Sequence, residues 1–388
     1  EATETLRTFV ETHNIPVAET QAGKSALPWD HPLNLGPIGV TGGEPANNVC
    51  AEADLVLGIG TRFQDFTTGS WGLFANSARR IISLNVAAYD AAKHGAMPLL
   101  ADARVGLEEL GAALGGTRFD GDAQGLKSVW FGKVDPLTDA PGEGNALPTD
   151  MQVIGAVQRA AGENTVAMCA AGTMPGELHK LWKAGLPGSY HMEYGFSCMG
   201  YEIAGAMGIK MAQPERDVIC FTGDGTYMMA NSEMSTAAMM GIPFTVVVTD
   251  NRGYGCINRL QMGTGGAEFN NLLDHAIGGQ NSKIDFAKHA EAMGATSVKV
   301  SSIAEMEEAL AKRSEAKGPY VIVIDTDPYP STEPGGTWWD VGVPEVSERT
   351  QVNAARAKYE TNKKLQLSLI HISEPTRLES KSRLPASA

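Results

Sequence analysis

The sequence predicts an α/β protein built from two doubly wound units with parallel sheets. Short apolar runs alternate along the chain with stretches in which apolar residues recur every three or four positions. The chain of 388 residues is long enough for two or three domains, each with a core of its own. Because strands that alternate with helices are typical of parallel sheets, we expect helices to cover both faces of each sheet.

Six apolar runs are predicted to be the buried strands of these sheets. In chain order they are residues 55–59, 81–84, 166–168, 218–221, 244–248 and 320–324. The clearest helix is predicted from Ile303 to Ala316, where Ile303, Met306 and Leu310 recur at helical spacing and lie on one face.

A change in composition separates the two predicted units. Residues 116–148 run through Gly, Asp and Pro clusters, which predicts a linker. The first unit is then expected at residues 1–115, the second at 149–345, and a helical extension at 346–366. Residues 367–388 show no periodicity, and residues 367–377 resemble translated sequencing-adapter DNA, so we predict a non-native tail. A natural disordered tail is the alternative.

Charge and cysteine content narrow the class of protein. A formal net charge of −14 argues against a broad surface for nucleic acids or anionic membranes. No apolar run approaches the ~18–20 residues that a bilayer span requires. The five cysteines are scattered and never form C-x-x-C, which argues against a disulfide framework or a zinc site. We therefore expect a cytoplasmic protein without nucleic-acid or membrane partners.

Polar residues follow two neighbouring predicted strands. Gly223, Asp224 and Gly225 come directly after the run 218–221, and Asn251 follows the run 244–248, one β-α-β crossover later. Such residues meet at the carboxyl edge of a parallel sheet, where open α/β sheets bind ligands. Taken alone, the Gly-Asp-Gly sequence is also compatible with a tight turn, and the later Asp-Asn pair with a helix cap.

The chemistry of these residues predicts Mg²⁺ and a diphosphate. Carboxylate and amide oxygens are hard donors that suit Mg²⁺ rather than zinc. Gly223 and Gly225 leave the backbone bare, so a diphosphate can approach the N–H groups of Gly225 and Thr226. Those amides are expected to open a helix, where the helix dipole favours an anion.

The arrangement resembles the motif of the thiamine diphosphate enzymes, in which GDG is followed by a paired asparagine. Here Asp250 precedes Asn251, where the motif usually has a second asparagine. The resemblance implies thiamine diphosphate and Mg²⁺ as cofactors. It also implies that Asp224, Asn251 and the backbone carbonyl of Gly253 ligate the metal.

A second segment strengthens the resemblance. Residues 195–208 are similar to the glycine-rich helix entry of the acetolactate synthase group. In such enzymes the residues equivalent to Met199 and Gly200 lie against the aminopyrimidine side of the cofactor. Close packing of a helix on a strand would also require glycines here.

Within the superfamily, the chain resembles the trihydroxycyclohexanedione hydrolases of myo-inositol catabolism. Five segments carry this resemblance, and they lie in both predicted units: residues 38–42, 53–62, 65–68, 250–258 and 331–341. The resemblance covers about residues 1–364 and implies hydrolysis of a carbon–carbon bond that opens a cyclic dione to 5-deoxy-glucuronate. It implies a homodimer or higher homo-oligomer as well, because thiamine sites of this type form between two chains.

The resemblance also implies a glutamate that activates the cofactor from an N-terminal pyrimidine-binding domain. No residue of this chain matches it, so we assign no catalytic residue and expect a fragment that binds Mg²⁺ and diphosphate weakly and turns over nothing. His191 and Tyr194 precede the glycine-rich helix and are candidates to face substrate; a structural histidine and a packing tyrosine are the alternatives. Trp338 and Trp339 are compatible with a flap or a subunit contact.

Two other functions stay open at this point. One is a thiamine enzyme of the acetolactate synthase or 2-oxoacid decarboxylase type. The other is a natural diphosphate-binding subunit that borrows its glutamate from a separate polypeptide. Whether residues 1–115 bind a nucleotide also stays open.

Overall fold

The computed structural model describes residues 2–373, except residues 75, 77, 121–123 and 142–145. In these residues the strands form three sheets, of two, three and six strands. Every strand pair within the sheets is parallel. The predicted α/β class with parallel sheets is therefore confirmed.

The strands belong to two parts of the chain. In chain order they are β1 (Val17–Glu19), β2 (Asn34–Pro37), β3 (Leu55–Ile59), β4 (Arg80–Asn85), β5 (Met97–Leu100), β6 (Thr165–Cys169), β7 (Tyr190–Met192), β8 (Asp217–Gly223), β9 (Thr245–Asp250), β10 (Thr296–Val300) and β11 (Tyr320–Asp325). Strands β1 and β2 form the small sheet, β3-β4-β5 the second, and β10-β11-β9-β8-β6-β7 the large one.

Helices connect these strands and flank the sheets. The α-helices are α1 (Ala2–His13), α2 (Glu44–Glu52), α3 (Asp65–Thr68), α4 (Ala88–Ala91), α5 (Ala103–Leu114), α6 (Gln124–Val134), α7 (Asp150–Ala160), α8 (Met174–Leu181), α9 (Tyr201–Ala212), α10 (Asp224–Met229), α11 (Glu233–Met240), α12 (Gly255–Gly263), α13 (Phe286–Ala292), α14 (Ile303–Ala311) and α15 (Thr350–Ser373). Short 3₁₀ turns occur at Lys93–Gly95, Asp135–Thr138, Leu273–His275, Gly279–Asn281 and Arg313–Glu315.

The large sheet is covered on both faces, which explains its unbroken apolar strands. In β9, Val247 belongs to one core cluster, whereas Val246 and Val248 belong to the cluster on the other face. In β11, Ile322 and Val323 are divided in the same way. Because successive side chains of a strand point to opposite faces, a strand buried on both faces needs apolar residues at every position.

All six predicted apolar runs lie in strands, namely β3, β4, β6, β8, β9 and β11, although Phe244 precedes β9. The remaining strands carry a weaker signal, because they are short or lie at sheet edges. Strand β7 has three residues, and edge strand β10 exposes Lys299. The predicted helix from Ile303 ends at Ala311 and is followed by a 3₁₀ turn, where the Arg313 guanidinium donates to the Leu310 carbonyl at 2.8 Å.

The segment predicted as a linker contains helix α6. Trp130 and Val134 of this helix are buried in a core cluster with Met151 and Ile154 of α7. On its other side, the Trp130 ring lies against Gly43 of the first unit, where an added Cβ would come within 3.0 Å. Helix α6 therefore packs against both units.

At the C-terminal end, helix α15 continues to Ser373, beyond the predicted extension at 346–366. The rest of the predicted tail, residues 374–388, lies outside the described residues. Within the part of the chain that the structure describes, no helix is long and apolar enough to cross a membrane.

Candidate functional site

Asp224 and Asn251 lie side by side at the carboxyl edge of the large sheet. Strand β8 ends at Gly223 and its parallel neighbour β9 ends at Asp250, with Gly223 opposite Thr249 in the register. Asp224 begins α10, and Asn251 follows β9 directly. The two predicted metal ligands are thus brought together by neighbouring strand ends.

Both side chains are buried and each keeps a free oxygen. Asp224 is 5% exposed and Asn251 is 8% exposed. Oδ1 of Asp224 and Oδ1 of Asn251 have no hydrogen-bond partner among the described residues. A buried acceptor without a partner costs about 1–3 kcal/mol, so two of them at one edge indicate a ligand from outside the protein.

The electrostatics of Asp224 fit a cation. Burial, followed by the nearby Asp250 carboxyl, raises the pKa of Asp224 to about 7, although the backbone N–H groups of Gly225 and Gly253 oppose the shift. A divalent cation would remove this penalty, because it favours the charged carboxylate. The donor set of carboxylate and amide oxygens suits Mg²⁺.

The loop that contains Gly253 is held by backbone contacts. Gly253 forms an isolated antiparallel bridge with Leu272, and Tyr254 N donates to the Asn271 carbonyl at 2.8 Å. Gly253 has a φ of 146°, and an added Cβ would lie 2.4 Å from the Asn271 carbonyl oxygen. Only glycine fits this position, which follows Asn251 by two residues.

The turn before α10 is open to a ligand. A Cβ added to Gly223 would meet no atom within 4 Å, so this side of the turn faces free space. At Gly225 a Cβ would come within 2.7 Å of the Tyr254 ring. The N–H groups of Gly225 and Thr226 lie in the first turn of α10. Gly223 therefore leaves the backbone bare beside the two free oxygens, whereas Gly225 gives the Tyr254 ring room to pack.

The segment that contains Met199 and Gly200 packs against the same region. Gly200 precedes α9 with a φ of 97°, and a Cβ there would lie 2.7 Å from Cβ of Ala230, directly after α10. The glycine therefore lets the entry of α9 approach the end of α10, the helix that begins at Asp224.

His191 and Tyr194 both pack against aromatic rings of the chain. The His191 ring stacks on Tyr201, with Nε2 3.0 Å from the Tyr201 hydroxyl, and burial lowers the pKa of His191. The Tyr194 ring packs edge-on against Phe66, with centroids 5.2 Å apart, and burial raises the pKa of Tyr194.

Trp338 and Trp339 also pack within the chain. Trp339 lies against Phe66 of the first unit, with centroids 4.8 Å apart, and Trp338 lies near Tyr359 of α15. The segment that follows β11 therefore crosses the first unit before it enters α15.

A buried polar junction between the two units was missed by sequence reasoning. Gln21 donates to Thr41 Oγ1 at 3.0 Å and accepts from the Tyr190 hydroxyl at 2.7 Å. His179 contacts Thr41 and the Glu19 carbonyl, and burial lowers its pKa to about 3. These residues are far apart in sequence and belong to no short motif, so no local pattern could have identified them.

No group of three or more His, Cys, Asp or Glu side chains suited to a metal occurs among the residues that the structure describes. The candidate site differs from such clusters, since it combines one carboxylate with an amide and with backbone groups. This composition is typical of sites where Mg²⁺ is shared with a phosphate-containing ligand.

The chain matches two domain families of known proteins. Residues 170–324 match the family described as thiamine pyrophosphate enzyme, C-terminal TPP binding domain, and residues 1–110 match the central domain of the same enzymes. The first match contains Asp224, Asn251 and Gly253.

Curated relatives show a more specific similarity than the domain families do. The chain is 38% identical to 3D-(3,5/4)-trihydroxycyclohexane-1,2-dione hydrolase of Geobacillus thermodenitrificans over 94% of its own length and 61% of that protein. For the Clostridium perfringens protein of the same name, the identity is 38%, over 94% and 62% of the two chains. The chain thus spans about three fifths of the length of these relatives. The two domain matches together cover more than half of the chain, and the chain belongs to the thiamine pyrophosphate enzyme family.

Proposed function

We propose that this chain binds thiamine diphosphate and Mg²⁺ at the carboxyl edge of its large sheet, and that it serves in the hydrolysis of a cyclic 1,2-dione. One observation carries the cofactor proposal: the buried, unpartnered oxygens of Asp224 and Asn251 at adjacent strand ends. The substrate proposal rests on the relatives, which are named for 3D-(3,5/4)-trihydroxycyclohexane-1,2-dione.

Each part of the candidate site has a role in this proposal. Asp224, Asn251 and the backbone carbonyl of Gly253 would ligate Mg²⁺. The bare turn formed by Gly223, Asp224 and Gly225, together with the N–H of Thr226, would receive the diphosphate, whose charge the metal and the start of α10 compensate. This set of carboxylate, amide and carbonyl oxygens suits Mg²⁺, which in proteins is usually shared with phosphate groups of a ligand.

The other residues of the site would orient the cofactor ring. Met199 and Gly200 lie at the entry of α9, which approaches the end of α10, and they would contact the ring end of the cofactor. When bound, thiamine diphosphate supplies an electron sink for cleavage of a carbon–carbon bond beside a carbonyl group. The chain's own residues would hold the metal and diphosphate, fix the ring and limit access of water to the reacting atoms. We propose 5-deoxy-glucuronate as the product, within inositol catabolism.

An exposed methionine surface on three helices of the second unit supports a homo-oligomer. Its members are methionines on α9, α10 and α11, each at least 45% exposed: Met211, Met228, Met229, Met239 and Met240. Phe196, on the segment before α9, is 91% exposed. Large exposed apolar surfaces mark interaction sites, and methionine adapts well to a partner surface. We propose that a second copy of the chain covers this methionine surface.

Two experiments test the proposed function. Isothermal titration calorimetry of the chain with thiamine diphosphate, with and without Mg²⁺, should show binding that requires the metal; no binding would contradict the cofactor proposal. A chimera that adds the part of the Geobacillus protein not matched by this chain should hydrolyse the cyclic dione. A chimera that instead consumes pyruvate would support an acetolactate synthase or decarboxylase activity.

A further inference from the structure

We propose that Glu202 is a positioning residue that clamps together two loops beside the proposed cofactor site. The first is the β6 loop, defined as residues 170–173, and the second is the α9 entry loop, defined as residues 193–200. The inference rests on the proposed function and goes beyond it, because it assigns a role to a residue that would not itself ligate the metal or hold the diphosphate.

The carboxyl group of Glu202 accepts hydrogen bonds from both loops. Oε1 accepts from the N–H of Ala171 at 3.1 Å, and Oε2 accepts from the N–H of Gly200 at 2.9 Å. Glu202 lies in the first turn of α9 and is 1% exposed. A single side chain thus joins two backbone segments that are separated in sequence.

The free-energy cost of burying the Glu202 carboxyl group indicates a specific role. Burial raises the pKa of Glu202 to about 7, even though its own backbone N–H and those of Ala171 and Gly200 favour its charged form. Among the described residues, Glu202 has no ion pair that would offset this cost. An apolar side chain would fill this space at a lower free-energy cost. The carboxyl group therefore contributes its hydrogen bonds to the two backbone segments.

A second contact joins the same two loops. The hydroxyl of Ser197 donates to the carbonyl of Ala170 at 3.1 Å. On the far side of the α9 entry loop, Gly200 packs against Ala230 after α10. Glu202 therefore fixes the spacing between the β6 loop and a segment that touches the end of the proposed diphosphate helix.

The geometry requires two acceptor oxygens. In Glu202→Gln one oxygen becomes an NH₂ group, which cannot accept from a backbone N–H, so one of the two links is lost. In Glu202→Asp the side chain is shorter by one methylene and cannot span both donors without movement of a loop. Both variants should loosen the ring end of the site and leave the turn at Gly223–Gly225 unchanged.

Calorimetric titration of the full chain at saturating Mg²⁺ tests this role with two probes, thiamine diphosphate and inorganic diphosphate. We expect Glu202→Gln and Glu202→Asp to lower the affinity for thiamine diphosphate about tenfold or more, because the loss of a hydrogen bond to a charged group costs a free energy of that magnitude. Affinity for inorganic diphosphate, which reaches only the metal and the turn, should change less than about twofold. Ser197→Ala should show the same selectivity with a smaller effect, and it keeps the test usable if the Glu202 variants do not fold.

Glu177→Gln is the matched control. Glu177 is also a buried glutamate whose carboxyl group accepts a backbone N–H, from Thr332; it lies in α8, directly after the β6 loop, but among the described residues its carboxyl group accepts no hydrogen bond from either loop. It should leave the affinities for both probes close to those of the unmodified chain. If the Glu202 variants lost affinity for both probes equally, or for neither probe, the positioning role would be overturned. Failure of the unmodified chain to bind thiamine diphosphate would overturn the proposed function, and this inference with it.

Discussion

The indole Nε1–H of Trp339 donates to Oδ2 of Asp65 at 2.8 Å, across 274 positions of sequence. The other oxygen of Asp65 accepts from Ser70 Oγ at 2.9 Å, and Ser70 Oγ in turn accepts from the N–H of Asp340 at 3.0 Å. Near these contacts, Gly69 has no room for a Cβ, which would overlap Thr337. Hydrogen bonds to Asp65 and Ser70 thus hold the segment after β11 against the first unit.

The first prediction concerns the hydrogen bond between Trp339 and Asp65. Trp339→Phe keeps an aromatic ring against Phe66 but removes the N–H that Asp65 accepts. Because Asp65 is exposed, we expect the free energy of unfolding to fall by only about 1 kcal/mol. A double-mutant cycle with Asp65→Ala, followed by chemical denaturation, measures the coupling between the two side chains. Additive effects of the two substitutions would show that the hydrogen bond contributes nothing.

The second prediction concerns the proposed metal ligands. Asp224→Asn and Asn251→Ala should abolish the increase in Tm that Mg²⁺ and thiamine diphosphate give the unmodified chain. Without ligands, Asp224→Asn should be at least as stable as the unmodified chain, because it removes a buried carboxyl group that lacks a cation. Differential scanning fluorimetry measures both effects.

Asp250→Asn is the control for the Asp224 and Asn251 variants. It places asparagine where the thiamine motif usually has it, and it alters a residue that is not a proposed ligand. The ligand-dependent increase in Tm should therefore persist. If Asp250→Asn abolished the increase while Asp224→Asn retained it, the assignment of the ligands would be wrong.

The third prediction concerns Gly253. Gly253→Ala should weaken Mg²⁺-dependent binding and lower the free energy of unfolding, since its Cβ would overlap the Asn271 carbonyl in a backbone conformation that disfavours other residues. Gly208→Ala, within α9, provides the contrast, because a Cβ there meets no atom within 4 Å. That variant should be neutral or more stable by up to about 1 kcal/mol. Comparable losses in the two variants would mean that the contact with Asn271 is not the cause.

The predictability of these features follows from how local they are in sequence. Asp224 and Asn251 were predictable because each follows a buried strand, and adjacent parallel strands end at the same edge. Their free oxygens and the bridge from Gly253 to Leu272 depend on how distant loops fold back, which no short pattern encodes. Helix α6 was predicted as a linker since its flanks are rich in Gly, Asp and Pro, while its burial depends on Gly43 and α7.

The junction between the units shows the same limit. His179 faces Thr41 across 138 positions, and either residue alone is unremarkable in the sequence. The hydrogen bond of Trp339 likewise depends on a partner, Asp65, that lies far away in the chain. Residues whose role depends on one distant contact could be recognised only from the structure.

The fourth prediction concerns the proposed homo-oligomer. A double substitution of Met239 and Met240 by lysine should place charge on the exposed methionine surface and shift the chain towards a smaller species. Val86→Lys, at an equally exposed apolar position in the first unit, should leave the distribution unchanged. Sedimentation velocity distinguishes the outcomes. An unmodified chain that sediments as a monomer at all concentrations would contradict the proposal.

The fifth prediction concerns acid stability at the junction between the units. The hydrogen bonds of His179 favour the tautomer that accepts from Thr41 Oγ1 at Nδ1 and donates from Nε2 to the Glu19 carbonyl, as inferred from the network. Burial, together with the positive charge of Lys24, lowers its pKa to about 3. The unfolded chain therefore takes up a proton below pH 6.5 that the folded chain does not, so folding loses stability as the pH falls from 6.5 towards 3.

Between pH 7.5 and pH 5 this histidine alone should lower the free energy of unfolding by about 2 kcal/mol. His179→Asn removes the titrating group, and it should remove that part of the pH dependence even if the variant is less stable at both values. Urea denaturation of the two proteins at pH 7.5 and pH 5 gives the difference directly. Equal losses in the variant and the unmodified chain would show that other groups cause the acid sensitivity, because only His179 differs between the two proteins.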